Sequence, residues 1–115
     1  MKTNIVNLTP HPLTLKSASG EVVLPPSGTV ARVTASPGPV KAVEGFPVPC
    51  HAPDTFGAVE GLPAPVEGTF YVVSALVGAA APRSDVLTPG TGPNDNPVRN
   101  EKGYVVAVTR LKFTV

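Results

Sequence analysis

Residues 69–82 read Thr-Phe-Tyr-Val-Val-Ser-Ala-Leu-Val-Gly-Ala-Ala-Ala-Pro. The first five, Thr69 to Val73, are large, favour extended backbone and contain no breaker, so they predict a central strand. Ser74 has the short polar side chain of a helix N-cap. The alanines and Leu76 favour helix, and Pro82 stops it. A strand followed by a helix of about two turns over 74–81 is the expected outcome.

Outward from this segment the chain repeats one grammar, short Val-rich runs bounded by Gly, Pro, Asn and Ser. Asn4 to Leu8, Leu13 to Lys16, Glu21 to Leu24 and Thr29 to Thr34 read as strands on the N-terminal side. Ser84 to Leu87, Pro97 to Arg99, Tyr104 to Val108 and Leu111 to Val115 do so on the other, with Thr88 to Asn96 a loop. In the middle, Val40 to Val43 and Phe46 to Cys50 flank a Glu44-Gly45 turn. Pro47 and Pro49 lie two apart and remove donors from one side, which marks an edge strand. The Glu-Gly echo at 44–45 and 60–61 reads as two similar turns, because a solenoid needs at least three repeats. With 11 Gly and 15 Pro among 115 residues, the breaker share is about twice the usual one and excludes a helical bundle. Residues 1–115 are thus expected to form one mainly β domain. It would be a single, mostly antiparallel barrel or sandwich of about eight short strands with one short helix.

Composition bounds the setting. The hydrophobic fraction is 42%, charged residues are 15%, and mean hydropathy is +0.17, the reverse of a disordered chain. A net charge of +1 supplies no basic surface for a nucleic acid polymer. The single cysteine, Cys50, cannot close an intrachain disulfide, which suits a reducing compartment. The opening residues carry no apolar signal core, and no apolar run is long enough to span a bilayer. A soluble, cytoplasmic protein without a membrane partner is expected.

Most chemical constellations fail on spacing. His11, His51 and Cys50 do not assemble a zinc set, and Cys50 and His51 diverge as neighbours on a strand. Asp95, in Asn94-Asp95-Asn96, lacks the graded oxygen ligands of a calcium loop. Positions 72–76 are not the G-x-S-x-G of a nucleophile elbow, and Gly90-Thr91-Gly92 is not a phosphate loop. No metal, no cofactor and no catalytic residue are expected. Two features remain. Arg83 and Asp85, two apart, share a face of an extended segment, and an arginine recognises planar anions through a bidentate fork. In Asn7-Leu8-Thr9-Pro10-His11-Pro12, a histidine between two prolines is held stiffly enough for a ligand contact. The free amides after Ser74 add a third element.

The chain also resembles a known group. Asn7-Leu-Thr-Pro-His11 comes first, then Leu24-Pro-Pro-Ser-Gly-Thr-Val-Ala-Arg32 and Leu62-Pro63. Gly68-Thr-Phe-Tyr-Val-Val-Ser-Ala-Leu-Val77, Arg83-Ser-Asp-Val-Leu-Thr-Pro89 and Val98-Arg-Asn-Glu-Lys-Gly103 follow. In that order they are similar to a family of short uncharacterised proteins of bacteriophages, prophages and some bacteria. Its marks are the Asn-Leu-Thr-Pro-His opening and the Tyr-x-Val-Ser-x-Leu-Val segment. The likeness runs over nearly the whole chain but not around Pro47 to Thr55. It implies a phage setting in the host cytoplasm, and no mechanism. Small phage β-proteins without catalytic groups include some that sequester nucleotide signals of bacterial immunity, which would make this one an anti-defence protein.

The expected function is therefore a non-enzymatic phage-type protein that binds a small anionic molecule, with a nucleotide immune signal as the candidate. Arg83, flanked by Asp85 and joined by the amides after Ser74, would take the phosphate. His11 and Asn7 would contact base or sugar, Tyr71 or Tyr104 would form an apolar wall, and Arg99 would be a reserve contact. The alternative is a virion-structural or host-interaction protein for which these residues only set turns and core. Edge strands and the Ala/Gly-rich helix make a homo-oligomer the expected state.

Overall fold

The computed structural model describes residues 3–115. It is mainly β, with ten short strands and one helix. The strands are β1 (Asn4–Asn7), β2 (Leu13–Ser17), β3 (Gly20–Leu24), β4 (Ala35–Ser36), β5 (Thr55–Phe56), β6 (Thr69–Val72), β7 (Val86–Pro89), β8 (Val98–Arg99), β9 (Val105–Ala107) and β10 (Leu111–Phe113), and α1 spans Ala75–Ala80.

The central sheet has the order β1-β6-β7-β10. It departs from the antiparallel arrangement expected: β1 and β7 both run parallel to β6, and only β10 is antiparallel to its neighbour β7. The cause is local. A strand, a helix and a second strand in immediate succession form a crossover, and a crossover returns the chain parallel. The other strands form three two-stranded sheets, β2-β3, β4-β5 and β8-β9, and among the described residues the sheets do not close into a barrel.

The helix forms as its residues predict. The Ser74 hydroxyl accepts from the Val77 amide at 3.3 Å, and Ala81 ends the helix immediately before Pro82. Gly78 lets α1 lie close to the sheet, because a Cβ there would stand 2.5 Å from Thr88 Cγ2 and 3.1 Å from Thr114 Cγ2. One sheet face carries Val6, Tyr71 and Val86 in register. With Leu8, Ala31, Val73 and Val77 they make the core. Thr29 to Thr34 is not a ladder strand. Its backbone makes instead a lone hydrogen bond from the Ala31 amide to the Leu8 carbonyl and a single bridge from Arg32 to Glu60. Among the described residues, no helix is long and apolar enough to cross a membrane.

This core is small for the chain. The accessible surface is 7868 Å², against about 5,900 Å² for a compact monomer of this mass. The radius of gyration is 17.0 Å, against about 13 Å for a compact chain of this length.

Candidate functional site

Beside the first turn of α1 lies an open groove of about 640 Å³. Its walls are Leu8 to Pro10, Val30 to Thr34, Gly57, Ala58 and Glu60, and Ser74, Leu76 and Val77. Arg32 and Glu60 form its polar rim. They exchange two backbone hydrogen bonds of 2.8 Å as antiparallel partners. Antiparallel partners project their side chains to the same side. Among the described residues, neither side chain has an ion-pair partner. Thr9, Thr34 and Ser74 are the polar neutral residues of its lining.

The residues picked out from the sequence fall into separate places. Ser74 lines the groove while capping α1. Arg83 stands beyond the other end of the helix and is not among the groove's walls. Its guanidinium is closed onto Asp85 by two 2.8 Å bonds, Nε to Oδ1 and Nη2 to Oδ2. Its main chain is clasped by Thr114, whose Oγ1 accepts from the Arg83 amide at 3.0 Å and donates to its carbonyl at 2.9 Å. Arg83 and Asp85 thus come together with each other but not with Ser74.

Asn7 is 2% exposed and uses its whole amide. Nδ2 donates to the carbonyls of His11 at 2.9 Å and Leu24 at 3.0 Å, and Oδ1 accepts from the Thr9 amide at 2.9 Å. It fixes the loop that carries Thr9 into the groove. The His11 ring is exposed at a second hollow of about 330 Å³, beside Val106 and Val108. Tyr71 is packed in the core with Val73 and Val77. Arg99 is on β8, donating from Nη1 to the Gly103 carbonyl at 2.9 Å across an exposed turn.

Asp95, weighed in the sequence only as a calcium ligand, is the hub of an ion cluster. Its Oδ1 accepts from Arg110 Nε at 2.9 Å and Nη2 at 2.6 Å, its Oδ2 accepts from the Gly92 amide at 2.9 Å, and Lys112 Nζ stands 3.5 Å away. The Arg110 hydrogen bonds, with the Gly92 amide behind them, hold this carboxyl below the ordinary aspartate range. A carboxylate so satisfied clamps the 90–96 loop to β10. Among the described residues, no three His, Cys, Asp or Glu side chains gather into a metal-binding group.

Arg32 and Glu60 were not singled out from the sequence. Arg32 interrupts the Val30–Val33 run and reads as an ordinary outward strand position. Glu60 reads as part of a turn, which Gly61 does make with φ of +80°. Their signal is long-range pairing, invisible to a local pattern. Comparisons with protein-family models, with characterised proteins and with solved structures return no match for the chain.

Proposed function

We propose that the protein is a non-enzymatic binding protein that holds a small anionic ligand in the groove beside α1, with Arg32 as its cationic contact. The observation supporting this is an uncommitted guanidinium at the rim of a groove of about 640 Å³, within the usual range of about 300–1,000 Å³ for small-molecule sites. Arg32 suits a phosphate, and the neighbouring Glu60 carboxylate accepts from a hydroxyl or amino group. A nucleotide carries both kinds of group. Thr34 and Ser74 add neutral hydrogen bonds, while Leu76 offers an apolar wall. In this reading Arg83, Asp85 and Arg99 keep their structural bonds, and Asn7 acts by holding Thr9. The family resemblance favours a nucleotide signal of host immunity, sequestered unchanged in the host cytoplasm.

Equilibrium dialysis against cyclic dinucleotides and ADP-ribose derivatives tests this. Depletion of one ligand is expected, with Arg32→Ala weakening it about tenfold or more, the worth of a charge-assisted hydrogen bond. Denaturing the complex returns the ligand intact. If nothing in the panel is depleted, the reading fails.

A second reading, a virion-structural or host-interaction protein without a small ligand, is favoured by an exposed aromatic corner of the central sheet. There Ile5 is the register partner of Phe70, and Phe70 meets Phe113 edge-to-face at 6.3 Å between centroids. Phe113 is 65% exposed. Co-purification with capsids or with one host protein would support it.

A further inference from the structure

Residues 35–57 leave the body of the protein as an arm. Its strands β4 and β5 pair Ala35 with Phe56 and Ser36 with Thr55. Further out, Val40 bridges His51, the Lys41 amide bonds the Cys50 carbonyl, and the Ala52 amide bonds the Pro39 carbonyl. The chain reverses at Glu44-Gly45, where Gly45 has φ of +79° and the Phe46 amide bonds the Val43 carbonyl. Among the described residues, every main-chain bond of the arm is internal or reaches only Thr34 at its root.

The arm buries almost nothing. Of residues 35–57, all described, only Gly38 is buried. Val40, Val43, Phe46 and Val48 are each more than half exposed, and Phe56 is exposed as well. A lone two-stranded ribbon is marginal in water at best. This one also carries prolines at 37, 39, 47, 49 and 53, which remove ladder donors. Yet its root is shaped closely. The His51 Nδ1–H donates to the Gly38 carbonyl at 2.7 Å, and a Cβ on Gly38 would overlap the carbonyls of Ala52 and Pro53. A defined ribbon with an apolar tip and no covering surface belongs against something.

We infer that the arm is an exchange arm, whose apolar tip at Val43, Phe46 and Val48 is covered by a second copy of this chain. The area argues for it. Against a surface of 7868 Å², the excess over a compact monomer is about 2,000 Å², and a stable interface needs only about 800 Å² from each partner. The long axis of 57 Å beside a short one of 24 Å gives the chain an elongated outline. Charge agrees. A chain of net charge +1 meets its copy with little repulsion, and the tip has one ionisable group between Val43 and Val48, Glu44. The inference is independent of the ligand reading, since the groove residues lie outside the tip.

The test uses the full chain. Sedimentation is expected to give at least twice the 11.7 kDa chain mass, and the double variant Phe46→Asp, Val48→Asp to return it to one chain mass with its circular dichroism unchanged. A photoreactive maleimide on the natural Cys50 thiol, in a mixture of isotopically labelled and unlabelled wild-type chains, is expected to give mixed-isotope cross-links. Wild-type protein that sediments as single chains, or cross-links formed only within one chain, would overturn the exchange arm whatever the dialysis result. So would a tip variant that keeps its folded spectrum and the wild-type mass.

Discussion

Asn7 and Asp95 are the only polar residues buried among those described, and each is buried because its bonding capacity is filled. Asn7 to Ala would leave the carbonyls of His11 and Leu24 and the amide of Thr9 without their partner. At about 1 kcal/mol for each hydrogen bond, the loss is expected at about 2–3 kcal/mol, read from urea unfolding. Asp95 makes stability depend on acid. Its folded pKa lies below the ordinary value of 3.8 because Arg110 hydrogen-bonds the charged form. The stabilisation it gives is complete above the unfolded pKa and is lost as pH falls through the folded one. Thermal scans should therefore show this contribution flat from neutrality to about pH 4 and falling below it, and Asp95→Asn should lower the melting temperature at pH 7 while flattening that acid limb. At this scale the sequence was partly legible. The stiffness of the Asn7–Pro12 tract pointed to a fixed loop, but that Asn7 is the residue fixing it depends on Leu24, seventeen positions away. Arg83 and Asp85 were legible as a pair because two-residue spacing is a local property of extended chain. Their closure onto each other follows from the same spacing.

Among the elements, α1 shows what local chemistry decides. Ser74, the alanines and Pro82 mark its ends, and the structure agrees within a residue at each. The strand at Thr69–Val72 was equally plain, since its residues are buried or half-buried throughout. What local chemistry did not convey was the sheet's direction. β6, α1 and β7 follow each other without pause, and the parallel outcome was implicit in that order. The pairing of β1 with β6, more than sixty residues on, had no local marker, nor did the isolated hydrogen bonds and the Arg32–Glu60 bridge that take the backbone of Thr29 to Thr34. The close approaches carry two predictions. Gly78→Ala improves helix propensity by about 1 kcal/mol, but its Cβ meets Thr88 and Thr114, and overpacking costs about 1–3 kcal/mol. A net loss of stability in urea unfolding is expected, and relief by the companion change Thr88→Ser identifies the clash. Gly38→Ala differs, because its Cβ meets backbone carbonyls that cannot rotate away. Amide exchange at Lys41 and Ala52 should accelerate in that variant while Val73 and Val108 stay protected.

For the molecule as a whole, the disproportion between surface and core governs how stability responds to concentration. A compact monomer of this size unfolds at a temperature independent of its concentration. On the exchange-arm proposal, a chain that leaves about 2,000 Å² more surface than its mass requires would gain its missing burial by association, and association makes melting obey mass action. For a dimer that dissociates as it unfolds, a hundredfold rise in protein concentration adds about 2.7 kcal/mol for each dimer. Shared between two chains, that is about 1.4 kcal/mol each, or about 5 °C in melting temperature for a domain this long. Differential scanning fluorimetry across such a dilution series is expected to show that slope for the wild-type chain. Phe46→Asp, Val48→Asp should keep the wild-type melting temperature at the dilute end, since neither residue belongs to the core, and lose the slope. A slope retained by the variant would move the association to the sheet corner at the exposed Phe113. No slope in either would mean that the small core of Leu8, Tyr71, Val73, Val77 and Val86 sustains the fold by itself.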